Sequence, residues 1–216
     1  VSRTPGDLVI LGTSGHAREV AAIADAAGFR VVGFVGPHRE EETARLRAPW
    51  LGEDTWLDDA PPGVRYVIGI GSGPIRQRLH AGRAGDGPEA AILVHPAASL
   101  GPGITFGPGS VVWPGAVLTT DVAGGRHVHV NTNVAVGHDA VLGDFVTLLP
   151  GCTVGGSTRL DEAVTVGAGA SVIDGVHLGP RSFVGAGAVV LRDVDAGTTV
   201  AGVPAAPLRS SGGVRP

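Results

Sequence analysis

Val128-His129-Val130-Asn131-Thr132-Asn133-Val134-Ala135-Val136-Gly137-His138-Asp139-Ala140-Val141-Leu142-Gly143-Asp144-Phe145-Val146-Thr147-Leu148 repeats one apolar residue at every sixth place. Counting outward in sixes gives Leu100, Phe106, Val112, Leu118, Gly124, Val130, Val136, Leu142, Leu148, Val154, Leu160, Val166, Val172, Leu178, Val184 and Val190. Fifteen of these sixteen places hold a large apolar residue, and the register never slips. The next residue is Gly in nine cases, and the fourth residue on is small or β-branched, as at Val134, Ala140, Val146 and Cys152.

A plain strand repeats every two residues and a helix every 3.6, so neither demands this pattern. A hexapeptide β-helix does. Each hexad is a short strand and a corner, with the large residue inward, the small one in a tighter internal site, and Gly expected to take the corner's positive φ. Three hexads close one triangular coil, so the run predicts roughly five coils, about 25 Å tall at the usual strand spacing. Gly124 is the one inward place without a side chain, and a local dent is expected there.

Residues 8–94 follow different rules. Leu8-Val9-Ile10-Leu11, Val31–Val35 and Val67–Ile70 read as strands. Val20, Ile23, Ala24 and Ala27 have helical spacing, with Gly28 as the stop. Strand–helix–strand order predicts a parallel sheet. The charged stretch Arg39–Arg47 reads as a solvated loop or short helix. The division is therefore an α/β domain over 1–94, an all-β parallel β-helix over 95–209, and a flexible tail over 210–216.

Composition narrows the function classes. A net charge of −4 with 17% charged residues gives no polyanion-binding surface, so nucleic acid is not an expected partner. All basic side chains are Arg. The 36 Gly and 16 Pro are interleaved with Val, Leu and Ile, which favours a repeat over disorder. One cysteine, Cys152, excludes an intrachain disulfide and fits a reducing, cytoplasmic compartment. No apolar run is long enough for a membrane span.

Four motifs carry a resemblance: Gly12-Thr13-Ser14-Gly15-His16, His95-Pro96, Asn131 through His138-Asp139, and Gly202-Val203-Pro204-Ala205. Over residues 8–209 the chain resembles the hexapeptide-repeat acyltransferases, in the branch of sialic-acid O-acetyltransferases and nucleotide-amino-sugar N-acetyltransferases. The resemblance implies a Rossmann-like first domain, a left-handed parallel β-helix, acetyl-CoA as co-substrate, a nucleotide-linked amino sugar as acceptor, no metal, and a homotrimer with CoA between neighbouring subunits. An O-acetylated sugar is the alternative acceptor. A zinc hydratase of γ-carbonic-anhydrase type and a non-catalytic scaffold are weaker readings on the same fold.

His138 stands at a corner beside Asp139, and an imidazole titrating near neutrality suits an amine that must lose a proton as it attacks a thioester. The resemblance makes His138 the base and Asp139 its acidic partner. It also implies that Asn131 helps hold the acceptor amine, although Asn at a corner can be a steric choice. Gly156 is one coil, eighteen residues, after His138. Its N–H is expected to meet the thioester carbonyl, and a plain two-glycine corner is the other reading. Ala168 and Ala186 are implied for CoA, and Arg181 and Arg192 are candidates for its phosphates from charge alone.

In the N-terminal half, Gly12, Ser14 and Gly15 form a turn between strand and helix whose amides can cradle phosphate. His16 and Gly71-Ser72 with Arg76 could complete a nucleotide-sugar site. His127, His129 and His177 are expected on the surface or at subunit contacts, and His80 and His38 carry no signal. The chain departs from its relatives at two places. No acid follows the second strand in Phe34-Val35-Gly36-Pro37-His38, and Thr147 stands where amino-sugar enzymes often have a second histidine.

Overall fold

The structure, a computed structural model, describes residues 6–82 and 87–208. The tail expected over 210–216 lies outside these residues.

The first unit is a parallel sheet in the order β3-β2-β1-β4, built from β1 (Asp7–Leu11), β2 (Arg30–Val35), β3 (Trp50–Gly52) and β4 (Arg65–Ile68). Alternation along β1 sends Leu8 and Ile10 to one core with Phe34 and Val67, and Val9 and Leu11 to another with Val35 and Ile68. Helix α1 (Gly15–Ala26) buries Ala17, Val20, Ala21, Ile23 and Ala24 on the first of these faces. It stops where Gly28 turns left-handed, with φ 85°, and Phe29 N–H returns to Ala24 O. The charged stretch holds a single-turn helix, α2 (Glu40–Thr43). β4 ends at Ile68 rather than Ile70, because at Gly69 the chain runs against α1: a Cβ there would sit 2.8 Å from Ala17 Cα. Helix α3 (Gly73–Ala81) follows.

The second unit is a triangular prism. Its first face stacks Leu93–Val94, Val111–Val112, His129–Val130, Thr147–Leu148, Thr165–Val166 and Phe183–Val184. The second stacks Ser99–Leu100 through Val189–Val190, and the third Thr105–Phe106 through His177–Leu178. All these pairs are parallel and eighteen residues apart, such as His129 with Thr147. The prism opens at Leu93, two residues ahead of the division expected from the sequence. Its interior holds the predicted inward residues from Val112 to Val194, with Cys152 fully buried among them, and adds Val200; Leu100, expected inward, is 37% exposed in the first coil.

Two expectations about the corners are corrected. The left-handed residue is not the Gly beside each inward residue but the one two places later: Gly103, Gly109, Gly115, His127, Asn133, Asp139 and Phe145 have φ between 53° and 81°. The earlier glycines give clearance instead. A Cβ on Gly137 would lie 2.5 Å from Gly156 N, and one on Gly167 2.5 Å from Ala186 N, so the next coil could not stack. Nor is there a dent at Gly124, where the Phe106 ring of the preceding coil occupies the place a side chain would take.

The two units share a core. Leu93, Val111 and Trp113 of the prism pack in the same buried cluster as Ala17, Val20 and Ile23 of α1. Arg76 of α3 crosses the junction with none of its surface exposed. Its guanidinium donates to the carbonyls of Ile70 and Gly71 on its own side, and to those of His127, Phe145 and Val146 and to Thr147 Oγ1 on the prism. Burial lowers its pKa to about 9, so it stays charged near neutral pH. A buried charge persists where its hydrogen-bond capacity is filled, and here carbonyl oxygens fill it.

Candidate active site

His138 and Asp139 form the turn between the second and third faces, at half-exposed positions. The turn is held from both sides: Asp139 N–H donates to Thr120 O one coil below, and Ser157 N–H donates to His138 O from one coil above. Asp139 adopts φ 58°, which turns its side chain alongside the imidazole, and its Oδ2 lies 2.7 Å from His138 Nδ1. A carboxylate accepting from Nδ1–H leaves Nε2 as the ring's basic nitrogen.

Nε2 points at the next coil. It lies 2.7 Å from the position that a Cβ on residue 156 would occupy. The expected stacking of His138 and Gly156 is therefore present, and glycine is the residue that leaves room for the ring. The expected free amide is not. Gly156 N–H donates to Asp174 Oδ1 at 2.7 Å, because Asp174, at the same corner one coil further on, turns its carboxylate back onto it. Arg126 N–H is held in the same way by Asp144.

The other predicted prism residues lie on a different edge. Asn131, Ala168 and Ala186 follow the first face, so the whole second face separates them from His138 within one chain. Asn131 is not left-handed, which removes the steric reading. It is 5% exposed, and its Nδ2 donates to Leu148 O. With Thr132, Trp113, Pro114, His95 and Glu19 it walls a cleft of about 300 Å³ between α1 and this edge. His95 entered the sequence reading only as a landmark, and Glu19 not at all, since a linker and a solvated helix position give no pattern. Ala168 and Ala186 are exposed further along the edge. Arg192 stands on the His138 edge, two coils beyond Gly156. Arg181 instead reaches Gln77 of α3, away from both edges.

In the first unit, Gly12, Ser14 and Gly15 form the turn from β1 into α1, with Gly12 tight against Gly69 O. Ser14 is the helix N-cap residue and makes no side-chain cap bond. His16 and Gly71 face elsewhere. His16 Nε2 lies 3.2 Å from His129 Nδ1, its ring sits 5.2 Å from that of Trp113, and burial pushes its pKa down to about 4. Gly71 O accepts from Arg76 and Thr147. Both residues border the junction between units beside buried Arg76, and Ser72 is exposed. His127 and His129 are likewise fully buried there, not on the surface. The His80 ring is tilted against that of His127, with centroids 4.6 Å apart. His177 is exposed and paired with Asp161.

Among the described residues, no group of three or more His, Cys, Asp or Glu is placed to hold a metal ion. Burial pushes the Cys152 thiol up to about 12, so it is no nucleophile. What the site offers is an oriented imidazole on an open edge.

Residues 7–82 match the PglD N-terminal domain family. No curated protein matches the chain. Among solved structures, the acetyltransferase domain of PglB from Neisseria gonorrhoeae, in complex with acetyl coenzyme A, is 32% identical with a TM-score of 0.88, covering 94% of this chain and 98% of that one. The chain belongs to the hexapeptide-repeat sugar N-acetyltransferase family. PerB from Caulobacter crescentus, in complex with CoA and GDP-perosamine, is 31% identical with a TM-score of 0.78, over 94% of this member and 98% of PerB. WeeI from Acinetobacter baumannii is 25% identical with a TM-score of 0.81, over 94% and 100%. Membership agrees with the expected left-handed β-helix and with acyl transfer from acetyl-CoA.

Proposed function

We propose that this protein transfers acetyl from acetyl-CoA to the amino group of a nucleotide-linked sugar, with His138 as general base. The observation that carries the reading is the His138–Asp139 pair, whose contact leaves Nε2 free and directs it along an open edge of the prism. The amine nitrogen attacks the thioester carbonyl; the C–N bond forms and the C–S bond breaks. His138 takes the proton lost by the amine and returns it to the departing thiolate sulfur. Asp139 holds the ring and balances the imidazolium. Similarity to PglB with acetyl-CoA and to PerB with GDP-perosamine supports both substrates.

The nucleotide is held, in this reading, by the Gly12–Gly15 turn with Ser14 and Ser72, and the acceptor by the cleft that Asn131 floors. Because Asn131, Ala168 and Ala186 stand on one edge and His138 on another, a site uniting them takes two chains. A homotrimer packed through the second faces brings the His138 edge of one subunit to the cleft edge of the next. Half-exposed Leu100 and Val117 on these faces, with Ile173 and Leu191 at their edge, support such burial. The protein is read as a cytoplasmic enzyme; no helix among the described residues is long and apolar enough to cross a membrane.

The test is thiol release from acetyl-CoA against a panel of UDP-, dTDP- and GDP-linked amino sugars, with hydroxyl-only sugars as the competing arm. His138→Ala lowers turnover at least about a hundredfold while assembly persists. Near-normal turnover in that variant removes the assignment, and acetylation of the hydroxyl arm alone replaces the amine as acceptor.

A further inference from the structure

We propose that Arg18, Arg45 and Arg47 form a phosphate-binding cleft on the outer flank of α1. Together with Asp25 and Phe34 they line a cavity of about 280 Å³ between α1 and the segment that joins α2 to β3. Three arginines against one aspartate leave the lining with a net charge of +2 (3 − 1). Among the described residues none of the three arginines has an ion-pair or side-chain hydrogen-bond partner. Asp25 is the one acid in the lining, and the nearby Glu42 is paired with Arg39. Three arginines lining one hollow repel one another, and an anion relieves this.

The chemistry selects phosphate. A guanidinium presents paired N–H donors that match two phosphate oxygens at once, and such charge-assisted bonds are among the strongest in proteins. Ala21, Ala22 and Phe34 give the cavity an apolar wall, which strengthens the attraction relative to open water. The cavity also adjoins the first turn of α1. Arg18 Nη2 lies 3.6 Å from the position a Cβ on Gly15 would take, and the N-cap Ser14 makes no side-chain cap bond. A diphosphate can therefore meet the amide end of the helix and the arginines together. The ligand is a phosphate or diphosphate group, carried either by the nucleotide-linked substrate or by a free anion.

Calorimetric titration of the full chain with pyrophosphate, at fixed ionic strength and without acetyl-CoA, tests the cleft independently of His138. Wild type is expected to give saturable binding. The double variant Arg45→Gln/Arg47→Gln and, on a separate element, Arg18→Gln each weaken it at least about tenfold, with circular dichroism unchanged. A parallel rise in KM for the nucleotide sugar at constant kcat identifies the substrate's diphosphate as the occupant. An unchanged KM with lost pyrophosphate binding identifies a separate anion. No saturable binding in the wild type, or equal affinity in all three proteins, overturns the proposal.

Discussion

The imidazole of His138 lies directly beneath Gly156, one coil apart, with its Nε2 2.7 Å from where a Cβ on residue 156 would be. The contact sets both the direction of the ring and the identity of the residue above it. Gly156→Ala is expected to push the ring aside without disturbing the stack, since His138 and Asp174 carry a side chain at the same corner place one coil to either side, and the atoms nearest a Cβ on residue 156 all belong to the His138 ring. A displacement of about 1 Å in a reacting group lowers turnover by as much as about a hundredfold. Thiol-release kinetics with unchanged circular dichroism checks this; full activity removes the ring–glycine contact from the mechanism.

Asp139 acts through His138. Asp139→Asn keeps the size and tolerates φ 58°, but its amide can present an N–H to Nδ1 and so reverse the ring's tautomer. Turnover is expected to fall at least about tenfold with KM for acetyl-CoA unchanged. A loss confined to KM would assign Asp139 to binding.

Arg76 fastens the two units. Arg76→Met leaves the five carbonyls and Thr147 Oγ1 without their donor, in a place water does not reach. The expected cost is at least about 3 kcal/mol in urea unfolding. A loss below about 1 kcal/mol contradicts the role assigned to it.

Acid weakens the junction. Burial holds His16 near about 4 and His127 near about 3, against 6.5 for a free imidazole. The unfolded chain therefore takes up protons that the folded chain refuses. Stability from these groups is complete above about pH 6.5 and declines as pH falls toward their folded values. Each such group contributes a slope of about 1.4 kcal/mol per pH unit in that window. Urea midpoints at pH 7.5 and pH 5 measure the decline. His127→Phe flattens it; the change is tolerated sterically because Phe145, one coil on, holds the same left-handed corner with its ring stacked on His127.

The prism was legible in the sequence because each inward residue is fixed by the coil above and below, so one spacing recurs down the whole run. His138, Asp139 and Gly156 were legible because eighteen residues is one coil, and sequence distance then becomes stacking. The junction was not. Arg76, His16, His127 and His129 meet across more than fifty positions of chain, and nothing periodic links a short helix to a corner. Charged and imidazole side chains read as solvated until the surface that covers them is known. Gly156's amide was misread for a related reason: stacking predicted its place but not that Asp174 would reach back to it.

The Arg76 anchor has a bearing on how such a chain can be lengthened. It grips residues 127 and 145–147, on the coils that flank His138. A whole eighteen-residue turn added beyond Leu178 would extend the tower at its free end and leave the first unit keyed to the same storey. The same insertion between Asp139 and Phe145 would carry the grip one storey away from the imidazole. Growth of the fold is thus permitted in one direction and barred in the other.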